Sequence, residues 1–481
     1  GLVSEDFLPP RPPPLKKAAS LWTQLVVGLR SGIGIHMDTS FSDTRIGRFS
    51  VISLPKFTMR HCYTVRTPEH IKDILVRRAE EFPKSALMDD MLRALTGYSI
   101  FVSNGDVWKR HRRLMDPAFE GARIRGVFPM MLDATDAAGA RIGALADRAA
   151  KAAQNGGRGG APKPIAIDVE MTHFAADIIF RTIYSEPMGA RDARRFFAAF
   201  EVFQKIAYAH GMLKLSRFPT WILPGFYRAR FAANIIREIL ARPLRRRLKA
   251  VRAGLPTPDN DILASLLTTT DPVTGTRFDD NELLDQIAML FLAGHETSAT
   301  AASWALYLLA HCPLIQERCH AEAVEVYGDR APRFEDMKRL EHTRDVFREA
   351  LRLYPPVAVL ARDATTDERM LNRNVKSGDV MFVTPWLMHR HTAHWERPHA
   401  FDPDRFDTAN GQEALRCAYF PFSMGPRVCA GASFALQEAT LLLSELVRRY
   451  RFLPAPGHTP DPVARLTLRS ANGIPLVVER R

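Results

Sequence analysis

Phe422-Ser423-Met424-Gly425-Pro426-Arg427-Val428-Cys429-Ala430-Gly431 is the stretch from which the rest of the chain can be read. It sets Cys429 just before a long helical pattern, Ala432 to Tyr450. A cysteine at a helix entrance meets free backbone N–H groups and the positive end of the helix dipole, and both favour thiolate over thiol. Gly425 and Gly431 permit a sharp turn and a close approach to a flat partner. Arg427 adds a fixed cation suited to a carboxylate. A lone cysteine is usually a buried small hydrophobe. Thiolate, glycine clearance and arginine together instead suit haem iron and its propionates.

The whole run resembles the cysteine loop of the cytochrome P450 superfamily, from Phe422 through Gly425, Arg427 and Cys429 to Gly431. Ser423 departs from that pattern, standing where glycine is commoner. The resemblance makes Cys429 the axial ligand of a haem b iron and places Phe422 and Arg427 against the same cofactor.

Composition sets the bounds. The chain has 481 residues, 46% hydrophobic and 25% charged, an ordinary globular make-up with ample material for a core. Its formal charge of +13 favours an acidic partner, an anionic membrane surface or nucleic acid without choosing among them. Five scattered cysteines, Cys62, Cys312, Cys319, Cys417 and Cys429, argue against a disulfide framework and for a reducing compartment. No charged segment leads into an apolar core at the N-terminus, so no signal peptide is expected. Leu21 to Ile35 is too short and polar to span a bilayer. The expectation is a soluble, cytoplasmic monomer.

Residues 1–44 read as a proline-rich, extended lead-in with a first helix, and residues 45–481 as one large domain. Residues 46–66 alternate like a hairpin. Thr67-Pro68-Glu69 reads as a cap followed by a helix. Helical patterns then dominate, interrupted at Asn155–Gly160 and Leu255–Asp259, with further short β segments near 365–385 and 465–478. The fold class is mainly α with small β-sheets.

Asp279 caps a helical pattern that runs to about His311 and stops before Pro313. Its middle reads Ala293-Gly294-His295-Glu296-Thr297-Ser298. Four polar side chains inside an apolar rod are costly unless they line a site. A zinc-protease helix would need a histidine at 299, which is Ala299. Gly294 leaves room for a flat cofactor, and Glu296 with Thr297 forms an acid–alcohol pair able to relay protons. Glu349 and Arg352 share one helix face at i, i+3. Trp108-Lys109-Arg110-His111-Arg112 is basic and aromatic; nucleic-acid contact is one reading and a solvated face another. His391 and His394 fall in what reads as a solvated loop, as do the basic residues Arg242 to Arg247 on their helix.

Five stretches, Trp108–Arg112, Ala293–Ser298, Glu349–Arg352, Phe401–Phe406 and the cysteine loop, match motifs of the resembled family in the family's order, and the resemblance runs from about residue 45 to 478. The resemblance implies the family's fold, with haem between the Ala293–Ser298 helix and the Cys429 loop. It gives Thr297 and Glu296 the oxygen-activation roles and puts Ala293 and Gly294 at the cofactor. It carries Trp108, Arg112 and Arg362 to the haem propionates, with His389 a further position. Arg405 joins Glu349 and Arg352 in a trio that pins the cysteine loop. Ala293, Thr297, Val357, Ala358, Val359, Leu360 and Ala471 become the substrate wall. Regions 85–104 and 197–235 become a lid, although Phe197, Phe200, Phe203, Phe218, Trp221 and Phe226 within it are spaced like core residues.

The implied activity is a monooxygenase that uses O2 to hydroxylate a hydrophobic substrate of the fatty acid, terpenoid or steroid class. Gly32-Ile33-Gly34 is too isolated to be a dinucleotide fingerprint. Electrons would therefore come from a separate acidic ferredoxin or flavodoxin-type partner, steered by Lys109, Arg110 and Arg113. A peroxide-driven haem-thiolate enzyme and a non-catalytic haem sensor are the alternatives. Neither has a use for Glu296-Thr297.

Overall fold

The computed structural model describes residues 7–12, 47–53, 58–155, 162–370 and 373–481. Residues 1–6, the rest of the lead-in beyond residue 12 where a first helix was expected, and most of the Asn155–Gly160 break lie outside them.

Ten described helices are longer than ten residues: α1 (Ala86–Thr96), α2 (Gly105–Met115), α3 (Gly121–Asn155), α4 (Ile167–Tyr184), α5 (Ala190–Lys214), α6 (Pro224–Arg252), α7 (Asp280–His311), α8 (Pro313–Tyr327), α9 (Glu341–Leu353) and α10 (Ala432–Arg449). The local signals set several ends. Thr67 accepts the His70 N–H, with Pro68 at the first helical position. Asp279 and Glu282 form a reciprocal capping box, which satisfies two otherwise orphaned N–H groups. From that cap α7 runs about 48 Å at 1.5 Å per residue. Its residues are buried nearly all round, as in a helix enclosed by the core.

The β content is small and marginal to this bundle. Strands β1 (Gly47–Ser53) and β2 (Thr58–Val65) form the expected hairpin. β4 (Leu360–Asp363) pairs antiparallel with β7 (Val380–Val383), which pairs parallel with β2, giving the order β1-β2-β7-β4. β5 (Glu368–Met370) and β6 (Arg373–Val375) make a two-stranded unit. β3 (Ile165–Ala166), β8 (Tyr450–Pro454) and β11 (Pro475–Arg480) form a second sheet in the order β3-β11-β8. β9 (Pro462–Ala464) and β10 (Leu468–Ser470) form a hairpin whose turn reaches α7.

The main core surrounds α7, and a smaller one joins the four-stranded sheet to residues 395–420. Between them lies a buried ion cluster. Arg352 donates to both Glu349 oxygens at 2.7 and 2.8 Å, and Arg405 Nε donates to Glu349 Oε1 at 2.9 Å. The two guanidiniums use their remaining N–H groups on the carbonyls of His389, Glu396, Arg397, Pro398 and Ala400. One carboxylate and two arginines thus fold residues 389–405 into a fixed coil against α9.

Three expectations about polar residues change. His389 is buried, with Nε2 accepting the Phe420 N–H at 3.0 Å and its ring stacked on Tyr419. Burial, then Arg352 and Arg390, hold its pKa down to about 3, so it is a neutral strut. His391 is buried and accepts the Ala393 N–H, and no metal-binding cluster exists among the described residues. Arg247 turns inward to grip buried Asp261, because that carboxylate caps the helix at Ile262.

Removing one partner from a buried ion cluster leaves an uncompensated charge. Arg405→Leu should therefore lower unfolding stability by about 3–5 kcal/mol, read from denaturant midpoints. A loss no larger than that of a surface substitution would contradict the structural role of the trio.

Candidate active site

The cysteine loop closes on itself before α10 begins. Phe422 accepts the Cys429 N–H at 2.9 Å, and Gly425 accepts the Val428 N–H at 3.0 Å. Gly425 has φ +73°, and a Cβ there would lie 2.3 Å from the Leu75 carbonyl oxygen. Its clearance therefore serves the packing of the loop on residues 73–77. Gly431 has an ordinary negative φ; a Cβ would meet the Phe119 ring and, at 4.0 Å, Cys429 Sγ. Ser423, the departure from the motif, has φ +64° and a buried, unpartnered hydroxyl. A non-glycine residue in that region costs roughly 1–2 kcal/mol.

Cys429 reaches open space, yet desolvation raises its thiol pKa. The two facts are compatible in a sulfur at the floor of a narrow, protein-walled space. The Gly431 N–H and the Arg112 charge act in the other direction but are the smaller effects. Burial thus opposes the thiolate that the helix entrance was expected to favour.

A cationic rim lies close by. Trp108 is buried, with Arg427 Cζ 5.2 Å and Lys84 Nζ 5.8 Å from its ring centroid. Arg112 Nη1 donates to the Val428 carbonyl at 2.6 Å, which ties α2 to the loop. Arg362, on β4, bridges to Lys84, and its Nε is buried without a partner, as is Arg427 Nε. Burial first, then Arg427, Arg362 and Arg112, push the Lys84 pKa down to about 6. Arg362 is lowered to about 10, by burial and then Arg427. Arg427 and Lys84 flank one indole, Arg362 and Arg112 press on Lys84 from nearby, and only Arg112 has a carboxylate partner, Asp116; a pair of carboxylates would neutralise this arrangement. Lys84 escaped the sequence reading because it sits in no motif; only the fold brings it beside Arg362.

The opposite wall is a notch in α7. Residues 292–294, 297 and 298 are partly accessible, whereas 286–291 and 299–310 are buried. The four central polar side chains diverge. His295 is enclosed by Phe196, Phe197, Phe200 and Phe291, with neither ring nitrogen partnered. Its pKa falls to about 3, chiefly from burial, with Arg469 and His173 adding repulsion. Glu296 accepts from Thr467 Oγ1 at 2.7 Å and pairs with Arg469 at 2.7 Å. Thr297 Oγ1 donates to the Ala293 carbonyl at 2.5 Å. Ser298 Oγ donates to Glu438 at 3.2 Å. The expected acid–alcohol pair is therefore not joined by a hydrogen bond, because Arg469 and Thr467 draw the carboxylate towards the β9–β10 hairpin. Gly294 also changes meaning. A Cβ there would lie 2.9 Å from Ile179 Cδ1, so its clearance lets α4 pack on α7.

Leu292, Ala293, Val359, Phe422, Leu436 and Leu466 are partly buried apolar groups packed against the main core. Val357 and Leu360 are partly accessible too, while Ala358 is buried in the main core, its carbonyl accepting the Trp386 N–H. Ala471 is exposed and bonds to Asp461 at the open end of the β9–β10 hairpin. The hairpin residues that meet α7 are instead Thr467, Leu468 and Arg469, at and just after the turn. Thiol, cationic rim and apolar walls together fit a haem: a metal ligand on one side, carboxylate partners at the edge and an apolar face.

The family model described as Cytochrome P450 matches residues 48–475. The chain belongs to the cytochrome P450 family. It is 30% identical over 425 residues to cyclooctatin synthase of Streptomyces melanosporofaciens, covering 88% of this chain and 87% of that one. It is also 30% identical over 399 residues to cyclooctat-9-en-7-ol 5-monooxygenase of the same organism, covering 82% and 81%. The crystal structure of the cytochrome P450DA heme domain overlays with a TM-score of 0.75 at 23% identity, covering 90% of each chain. The chain is thus a cytochrome P450 monooxygenase with the family's single-domain, mainly α fold.

Two details are particular to this P450. The cations expected to steer a redox partner are each paired: Lys109 with Glu80, Arg110 with Glu282, and Arg113 with Asp271. Their outward field is correspondingly weak. Glu438 on α10 is buried, accepts from Ser298 and leaves Oε1 unpartnered. Burial raises its pKa from 4.5 to about 8, so it is a neutral acid at neutral pH. The folded protein then binds a proton that the unfolded chain has released, and stability falls as pH rises from 4.5 through 8. Glu438→Gln keeps the shape without the proton. Its melting temperature should gain on the parent's as pH rises across that window. A gap independent of pH would show that the carboxyl is ionised in the fold.

Proposed function

We propose that Cys429 is the proximal haem ligand and that the enzyme hydroxylates a terpenoid, drawing electrons from a separate protein. The observation that carries the ligand assignment is the crowding of Arg427, Arg362 and Arg112 on Lys84 near Trp108, beside the most exposed cysteine among the described residues. Arg112, Arg362, Arg427 and Lys84, with the Trp108 indole, would take the two propionates. Phe422 and Ala293 would contact the ring, and Gly294 would set how closely its helix carries Ala293 inward.

Haem bound through a thiolate supplies oxygen activation and C–H hydroxylation. The residues of this chain govern access and protons. Thr297 Oγ1 holds its proton on the Ala293 carbonyl, ready to turn into the notch. Glu296 is kept at the hairpin by Arg469 and can deliver a proton only by leaving that ion pair or by exchanging it through Thr467. Partial exposure of Arg469, at 29% of its side chain, gives this carboxylate a route to solvent.

The walls at Ala293, Thr297, Val357, Val359, Leu360 and Leu466 suit an apolar skeleton. Relatives named for cyclooctat-9-en-7-ol and for 11-oxo-beta-amyrin, the latter the 30-oxidase of Glycyrrhiza uralensis at 28% identity over 433 residues, favour the terpenoid class over fatty acids. The electron donor would be an acidic ferredoxin or flavodoxin-type protein. With Lys109, Arg110 and Arg113 internally paired, its attraction rests on the net charge of +13 and not on one patch.

Reduced protein with carbon monoxide should give a thiolate-type Soret band, and Cys429→His should move it to the histidine type. A parent spectrum of the histidine type would refute the ligand assignment. Thr297→Ala should raise oxygen consumed per product formed; unchanged coupling would remove Thr297 from proton handling. Arg362→Gln should speed haem loss to apomyoglobin by roughly ten- to a hundredfold, the range for a lost charge-assisted hydrogen bond.

A further inference from the structure

Among the described residues five arginines are buried: Arg247, Arg352, Arg362, Arg390 and Arg405. Four of them donate to a carboxylate or a carbonyl. The guanidinium of Arg390 makes no hydrogen bond and no ion pair among the described residues, and its Nε and Nη1 are both buried. It lies instead on aromatic rings. Its Cζ is 3.6 Å from the Trp386 centroid and 5.7 Å from that of Tyr354, which stacks in turn on Trp304 at 3.9 Å. An indole face offsets part of the cost of burying a cation, but it leaves the N–H groups of the guanidinium unbonded. Trp386 supplies a second orphan beside the first, because its Nε1 is also buried without a partner. Both residues are 1% exposed.

No acid matches this charge. Glu349 is the carboxylate that acts on Arg390, and its oxygens are already taken by Arg352, Arg405 and the Asp402 N–H. Asp402 is itself paired with Arg397. Burial above all lowers the Arg390 pKa to about 9; Tyr354 opposes this, while Arg352 and Arg11 add repulsion. The group is therefore still a cation at neutral pH. Neighbouring His399 feels the same excess of positive charge. Burial first, then Arg11, Arg390 and Arg352, hold its pKa down to about 4. Residues 7–12 are tied to the same place. Tyr354 Oη donates to the Pro10 carbonyl at 2.7 Å, and Arg11 Nη1 donates to His399 Nε2 at 2.7 Å. Pro9 and Pro12 are buried there.

We propose that Arg390 and Trp386 form a buried binding site for a small monovalent anion of the halide class, held by the Arg390 Nε and Nη1 N–H groups and the Trp386 indole N–H. A buried charge that is unmatched, and buried donors that are unbonded, are two separate costs. One anion removes both. A water molecule would accept the N–H groups and leave the charge unmatched. Phosphate or sulfate would need more donors than these side chains offer. A halide accepts from any direction and tolerates the aromatic wall that makes up the rest of the surroundings.

Melting of the haem-loaded full chain in sodium bromide against sodium gluconate, at one ionic strength, tests the assignment. The melting temperature of the parent should climb with bromide and level off as the site fills. Arg390→Met removes the cation and should abolish the response. Trp386→Phe removes only the indole N–H. It should raise the bromide concentration for half the response roughly five- to tenfold, the range for one lost hydrogen bond, and it serves alone if Arg390→Met does not fold. Crystals soaked in bromide should show an anomalous peak at hydrogen-bond distance from Arg390 and Trp386 Nε1. Unchanged reduced carbon monoxide spectra establish that the variants keep their haem site. The assignment is overturned if the parent melts alike in the two salts, or if the variants respond to bromide as the parent does. An ordered water without anomalous signal on these atoms overturns it too. A bromide peak without any bromide dependence of melting would mark an adventitious ion only, and equally overturns it.

Discussion

One carboxylate in a dry interior holds the site together. Glu349 is buried with two guanidiniums on it, and burial of those charges is tolerable only because each is matched and each spare N–H finds a carbonyl. The consequence travels along the chain. Arg352 fixes the His389 carbonyl; His389 Nε2 fixes the Phe420 N–H; Phe420 accepts the Ser423 N–H; and Phe422 accepts the Cys429 N–H. Four hydrogen bonds connect an ion cluster on α9 to the loop that holds the sulfur. The cluster touches no part of the candidate site, yet without it the loop would lose the fixed floor from which Cys429 presents its thiol.

Much of this was legible in the sequence, for identifiable reasons. Motifs whose chemistry is local survive the passage to three dimensions: the Asp279 cap, the Thr67 cap, the i, i+3 pair of Glu349 and Arg352, and the closed loop before α10. Roles that depend on where a side chain points did not. Gly294 and Gly425 were expected to make room for a cofactor; they make room for Ile179 and Leu75. Ala471 and Thr467 lie four residues apart on one hairpin, and only the direction of the turn decides which reaches α7. Lys84 had no motif to mark it. The basic residues of α2 looked like an outward field until their carboxylate partners, distant in sequence, appeared beside them.

Ser423 shows how a departure from a motif is absorbed. The backbone keeps the left-handed turn that glycine would adopt freely, and the serine hydroxyl is buried there without a partner. The loop holds this shape because hydrogen bonds on both sides of it are already made, so the local strain is outweighed rather than relieved.

Two buried glutamates, Glu296 on α7 and Glu438 on α10, carry the last step. Glu296 and Glu438 are both removed from water, and each accepts from a hydroxyl, Thr467 for one and Ser298 for the other. The difference between them is Arg469. Glu296 has the Arg469 guanidinium at 2.7 Å; Glu438, with no cation among the causes acting on it, is driven to hold its proton. Glu296 is thus held at the hairpin by an ion pair that must open before its side chain can swing away, and Glu438, through Ser298, is a neutral clamp between the helix that carries Thr297 and the helix that follows Cys429. The environment of each carboxyl, and not its residue type, decides which can move a proton and which can only hold two helices in register.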